Sequence, residues 1–357
     1  MAAQIIPMIA PEPQEYPKCD LPEPVLFASS AGTDLGFENL IFLNGTLYVT
    51  AFTNGLFAFY PNGTHRHILA DDRGPGQTPL DSPGAMMGLA TMDGVLFVSQ
   101  GMAIAGPVDA RILRFEVPGS SEFTVYAEGF DGANGLTADN DGNLYLAHGF
   151  REGIYKVEPD GSWDVWMTKA AANGVSLHPE GDRLAVAYVA SVGSRVVTVP
   201  LDNPAAEETL FVFNAADPEG GDDFDPSRPL VTKTIDDLVV GPDGMLYVAA
   251  HERLQTIRGD PATGEACLVI ESHVDAPTSA RIAHDFGAWD GWLFTTDNAG
   301  DIYAVDIRGQ TPNQERDNTT DNGNPDADNS ASTPSPAWIA FVSVVGLAVY
   351  TRRHRDS

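Results

Sequence analysis

Short apolar runs alternate with polar turns along most of the chain, and one arrangement recurs. An apolar run enters Asn-Gly, Asp-Gly or Glu-Gly and is answered by a second apolar or aromatic run. The copies are Phe37–Thr50, Met87–Ser99, Ala133–Ala147, Ala172–Val186 and Asp236–Ala249, with a sixth ending in Trp289–Thr296. Each is a β-hairpin signature, because those dipeptides adopt the positive φ that a tight two-residue turn demands. The turn glycines, Gly45, Gly94, Gly142, Gly181, Gly244 and Gly291, lie 49, 48, 39, 63 and 47 residues apart. That is the spacing of one four-stranded propeller blade per repeat. Third strands are visible at Leu56–Tyr60, Ile112–Glu116, Ile154–Val157 and Ile302–Val305. No long segment of helical period interrupts residues 24–309. The pattern therefore predicts an all-β, six-bladed β-propeller over 24–309, with the long fourth interval taken up by an acidic loop near Asn214–Arg228.

The ends of the chain have a different character. Residues 1–23 form an N-terminal segment whose apolar start resembles the remnant of a signal peptide. Residues 310–336 are rich in Asn, Asp, Thr, Ser and Pro and cannot bury enough apolar surface to fold, so they read as a disordered stalk. Residues 337–357 combine an apolar run with a basic end, Arg352, Arg353, His354 and Arg355, and read as a hydrophobic membrane anchor. The expected setting is extracellular, at a cell surface.

Charge narrows the partners. Acidic residues outnumber basic ones 50 to 20, for a formal charge of −30. Binding to nucleic acid needs a basic face, and none is evident. An acidic surface in which arginine outnumbers lysine fits a salt-adapted protein, since screening relieves its self-repulsion. The two cysteines, Cys19 and Cys267, lack metal-ligand spacing. They are either separate buried thiols or a disulfide pinning the N-terminal segment to a late blade. A monomer is expected.

In a propeller the innermost strand of each blade lines the central shaft, and its opening residue lies at one mouth. Counting eight residues back from the turn glycine gives Asn134, Asn173 and Asp236; counting seven back in the shorter copies gives Glu38, Met87 and His284. Two carboxylates and two amides would thus converge, with a histidine beside them. Oxygen donors of this kind suit a hard divalent cation. Any one of these residues alone is more often a turn or cap residue. His148 and His251 close second strands on the same face and are candidates to orient a substrate.

The runs Ala133-Asn-Gly-Leu, Ala172-Asn-Gly-Val and Ile235-Asp-Asp-Leu resemble the inner-strand motifs of the gluconolactonase/regucalcin propellers. That resemblance implies a hydrolase of small lactones or esters with one divalent cation, Ca, Mg, Mn or Zn, Ca being favoured. It implies Glu38, Asn173 and Asp236 as metal ligands and Asn134 as a contact for substrate or metal; with such an ion Asp236 would be the catalytic base, and His148, His251 and His284 fall on the substrate side by their places in the repeats. The chain departs from the family in three places: Asn39 and Leu40 follow Glu38, Asp236 is followed by Asp237 instead of glycine, and Gly132 stands where some members carry a substrate-binding arginine. Two other readings compete. One is a non-catalytic surface propeller that binds glycan or protein around a structural cation. The other is a lyase resembling the streptogramin-lyase type, with His284 as its catalytic histidine.

Overall fold

The computed structural model describes residues 16–30, 36–51, 55–69, 85–101, 109–116, 119–149, 153–169, 172–188, 194–213, 235–250 and 254–309. The acidic insertion at 214–228, the stalk at 310–336 and the anchor at 337–357 lie outside them, as does His251. The described strands form six four-stranded antiparallel sheets. Blade one is β2 (Phe37–Leu43), β3 (Thr46–Ala51), β4 (Gly55–Phe59) and β5 (His65–Leu69). Blade two is β6 (Met86–Met92), β7 (Val95–Gln100), β8 (Ala110–Phe115) and β9 (Thr124–Phe130). Blade three is β10 (Leu136–Ala138), β11 (Leu144–Ala147), β12 (Ile154–Val157) and β13 (Trp163–Met167). Blade four is β14 (Ala172–Leu177), β15 (Arg183–Tyr188), β16 (Ser194–Pro200) and β17 (Glu208–Phe213). Blade five is β18 (Ile235–Val240), β19 (Leu246–Ala250), β20 (Gln255–Gly259) and β21 (Ala266–Ile270).

Blade six mixes the two ends of the domain. Its strands β22 (Pro277–Ile282), β23 (Trp292–Asp297) and β24 (Asp301–Asp306) are completed by β1 (Val25–Ser29), which pairs with β24. The N-terminal strand thus closes the ring, a pairing between residues some 275 positions apart that local pattern does not reveal. The inner strands β2, β6, β10, β14, β18 and β22 each contact the next, and β22 returns to β2.

The core lies between blades, not at the axis. Six apolar clusters are each built from two neighbouring sheets, for example Leu136, Leu144 and Tyr155 with Phe97, Ile112 and Phe130 between blades three and two. Sheets covered on both faces need strands that are apolar throughout. β3, β7, β11, β15 and β19 are accordingly buried along nearly their whole length. The hairpin turns are secured locally. Asp139 accepts bonds from the backbone of Asp141 and Asn143 and from the Tyr145 hydroxyl, and Asp243 accepts from Met245 N and the Tyr247 hydroxyl.

A disulfide joins Cys19 to Cys267, with Cα atoms 5.0 Å apart. Beside it the backbones of Pro17 and Cys19 pair with Leu268, so the N-terminal segment adds to the outer edge of blade five before β1 crosses to blade six.

Candidate metal centre at the axial mouth

A register shift marks the opening of five of the six inner strands, all but β10. In blade one Phe37 faces Ala51 while Asn39 faces Thr50, which leaves Glu38 as an extra residue. The same one-residue excess falls at Met87–Gly88, Asn173–Gly174, Asp236–Asp237 and Thr278. A bulge bends the strand and re-aims a side chain. Here it does so at equivalent points around the shaft, where Asn134 stands in blade three. The mouth is therefore ringed by Glu38, Met87, Asn134, Asn173, Asp236 and Thr278.

The bulges also explain how the inner strands approach one another. The backbone N–H left over at Asn39 donates to the Thr50 hydroxyl, which in turn donates to Met87 O of blade two. Gly88 N, Ser99 and Asn134 O repeat this relay from blade two to blade three. The residue after the ring position is glycine in blades two, three and four. A Cβ on Gly88 would come within 2.4 Å of Leu136 N, and one on Gly174 within 2.7 Å of Asp237 Cα. Only glycine allows backbones that close.

Asp236 is linked to both of the other expected ligands, to Asn173 by a hydrogen bond and to Glu38 through the charge it places on that acid. Asn173 Nδ2 donates to Asp236 Oδ1 at 2.7 Å, linking blades four and five. Asn173 Oδ1 is buried and has no hydrogen-bond partner. Burial pushes the Asp236 carboxyl up to about 7, helped by the charge of Asp237 and opposed by the bond from Asn173. Glu38 is raised well above the ordinary carboxylate range, first by burial and then by the charges of Asp236 and Asp237. Two acids that resist ionisation beside an orphaned amide oxygen form an oxygen-only donor set with excess negative potential. That chemistry fits a hard divalent cation.

The other expected residues divide. Asn134 holds the equivalent ring position and is buried, with its amide packed against Gly149. His148 follows β11 and is almost fully buried, 1% exposed, its backbone N–H bonded to Gly153 O. His284 is not at the mouth. It lies beyond the far end of β22, exposed, with its ring edge on Phe42. The count from Gly291 fails because the β22–β23 connection carries extra residues, including a short 3-10 turn at Gly287–Trp289. Thr278 holds the blade-six position, and its hydroxyl donates to Phe37 O.

Asp237 is a site residue that the spacing argument passes over. It is 3% exposed, and its Oδ2 accepts from Asn39 Nδ2 (2.9 Å), Ser279 Oγ (2.6 Å) and Arg281 (2.7 Å). The visible signal was two consecutive acids at the opening of an inner strand. Among the described residues one group of three His, Cys, Asp or Glu brings its ligand atoms within 4.8 Å of one another, His178, Glu180 and Asp182. It sits in the exposed blade-four hairpin turn, where Asp182 is already paired with Arg183.

Fold and mouth together define a six-bladed propeller with an acidic, oxygen-lined axial site. Its structural neighbours are gluconolactonase/regucalcin-like propellers. A gluconolactonase from Xanthomonas campestris matches with a TM-score of 0.55 at 14% identity, over 84% of this chain and 98% of its own. Luciferin-regenerating enzyme matches at 0.56 and 15% identity, over 81% and 97%. Virginiamycin B lyase from Staphylococcus aureus matches at 0.50 and 10% identity, over 78% and 97%. At such identities the likeness establishes the fold alone. No protein-family model and no curated protein sequence matches the chain.

Proposed function

We propose that the protein is a divalent-cation-dependent hydrolase of small, uncharged lactones or esters, acting at the mouth lined by Glu38, Asn173 and Asp236. The observation that carries this reading is the Asn173–Asp236 contact, with Glu38 in the same charged group and Asn173 Oδ1 left unsatisfied. When bound, a divalent cation supplies Lewis acidity towards an ester carbonyl and towards water. The three side chains would hold it through oxygen. With one oxygen accepting from Asn173, the Asp236 carboxylate would take a proton from the attacking water and return it to the departing alkoxide. Water then adds across the acyl–oxygen bond, giving the acid and the alcohol. Asn134 supplies an amide to orient the substrate. The carboxylates at the mouth disfavour anionic substrates.

The Cys19–Cys267 disulfide supports placing this activity in an oxidising, extracytoplasmic compartment, consistent with a secreted, surface-anchored protein. A pH-indicator assay over a panel of lactones tests the reading. Turnover that chelator removes and Asp236→Asn abolishes supports it. Cation binding without turnover on any substrate would replace it with a binding propeller whose ion is structural.

A further inference from the structure

Asn39 and Asp237 each follow a proposed ligand by one residue, and they bond to each other between blades one and five. Ser279 and Arg281 reach the same carboxylate oxygen from blade six, which stands between them in the ring. Arg281 is further braced on the carbonyls of Leu238 and Ala280. The other oxygen, Asp237 Oδ1, lies 2.8 Å from where a Cβ on Gly174 would begin, so blade four makes room for it. One buried carboxylate thus ties three blades together and presses on a fourth.

The knot lies directly behind the mouth. Glu38 and Asp236 carry like charges, and nothing in their own contacts draws them together. Their neighbours do so instead, because Asn39 and Asp237 fix the two backbones at a set separation. Asp237 also adds a third negative charge, and Arg281 offsets part of it. Among the described residues Arg281 is the one cation paired with this group.

We propose that Asp237 is a positioning residue for cation binding, holding Glu38 and Asp236 in register through Asn39, and that Arg281 limits the negative field the mouth presents. The inference rests on the reading of the mouth as a cation site. Outer partners of metal ligands change affinity by roughly 10–100-fold when removed. Field and packing predict different signs: a lost acid weakens the cation, whereas a lost base strengthens it.

Mn²⁺ titration of the full chain, followed by electron paramagnetic resonance and paired with thermal melts, tests this. Asp237→Asn should weaken Mn²⁺ by about tenfold or more. Arg281→Gln should tighten Mn²⁺ several-fold while lowering the melting temperature, a combination that structural damage alone does not produce. Asn39→Ala leaves every charge in place and should still weaken Mn²⁺ several-fold; it carries the positioning claim should Asp237→Asn not fold. Unchanged affinity in Asp237→Asn or Asn39→Ala overturns the proposal, as does parallel weakening in Arg281→Gln. Wild-type protein that binds no Mn²⁺ overturns the cation reading and this inference together, a result distinct from wild type that binds and variants that match it.

Discussion

Asn173 turns its amide nitrogen towards Asp236, 2.7 Å away in the next blade, and leaves its own carbonyl oxygen buried without a partner. A buried orphan acceptor costs free energy unless something electropositive meets it, of the order of 1–3 kcal/mol. Beside the Asp236 carboxyl, a bound cation would meet this acceptor and the acid together.

Replacing Asn173 should therefore be felt in cation binding. Asn173→Ala removes an oxygen donor and the bond that opposes protonation of Asp236. Mn²⁺ or Ca²⁺ affinity, read by calorimetry, should fall at least about tenfold, the lower end of what outer partners alone produce. Equal affinity would remove Asn173 from the site.

The raised acids make a pH prediction with a definite sign. The folded-state values of Glu38 and Asp236 lie above their unfolded ones, so their contribution to stability is fully present below about pH 4 and is lost as pH rises, through about 7 for Asp236. In chelator the melting temperature should drop between pH 5 and pH 8, and added divalent cation should recover more of it at pH 8. Asp236→Asn should show a smaller drop than wild type over the same interval, which separates this effect from general repulsion across an acidic chain. A steeper drop in Asp236→Asn would refute the assignment.

Gly174→Ala tests the close approach of blades four and five. Its Cβ would meet Asp237 Cα at 2.7 Å and Asp236 O at 2.8 Å. Overpacking of this kind typically costs 1–3 kcal/mol. Urea denaturation should report a loss in that range, and cation affinity should fall with it because the clash falls on the backbone of Asp236. An unperturbed midpoint would mean that the inner strands tolerate more separation than their contacts imply.

The Cys19–Cys267 bond closes a span of 248 residues at the outer edge of blade five. Reduction, or the paired change of both cysteines to serine, should lower stability by about 2–4 kcal/mol. The proposed cation site lies at the axis and should keep its affinity. Coordinated loss of cation binding would show that the edge and the mouth are coupled.

Much of the fold could be read from sequence because its information is local. Each hairpin announces itself through an Asn-Gly or Asp-Gly turn between apolar runs, and six copies at blade spacing imply the ring. The mouth was partly readable for the same reason, since Glu38, Asn173 and Asp236 stand at a nearly constant distance from their turn glycines. His284 shows the limit of counting: extra residues in one connection shift the register, and the ring position passes to Thr278.

What the chain's own pattern determined, then, is the repeat, the paired strands and the acidic openings, since these follow from turn conformation and hydrophobic alternation between near neighbours. Tertiary structure alone decided the rest. It chose β1 as the strand that closes blade six, joined Cys19 to Cys267, and gathered Asn39, Ser279 and Arg281 onto Asp237. Those contacts join residues as many as 279 positions apart, and only the closing of the ring brings them within bonding distance.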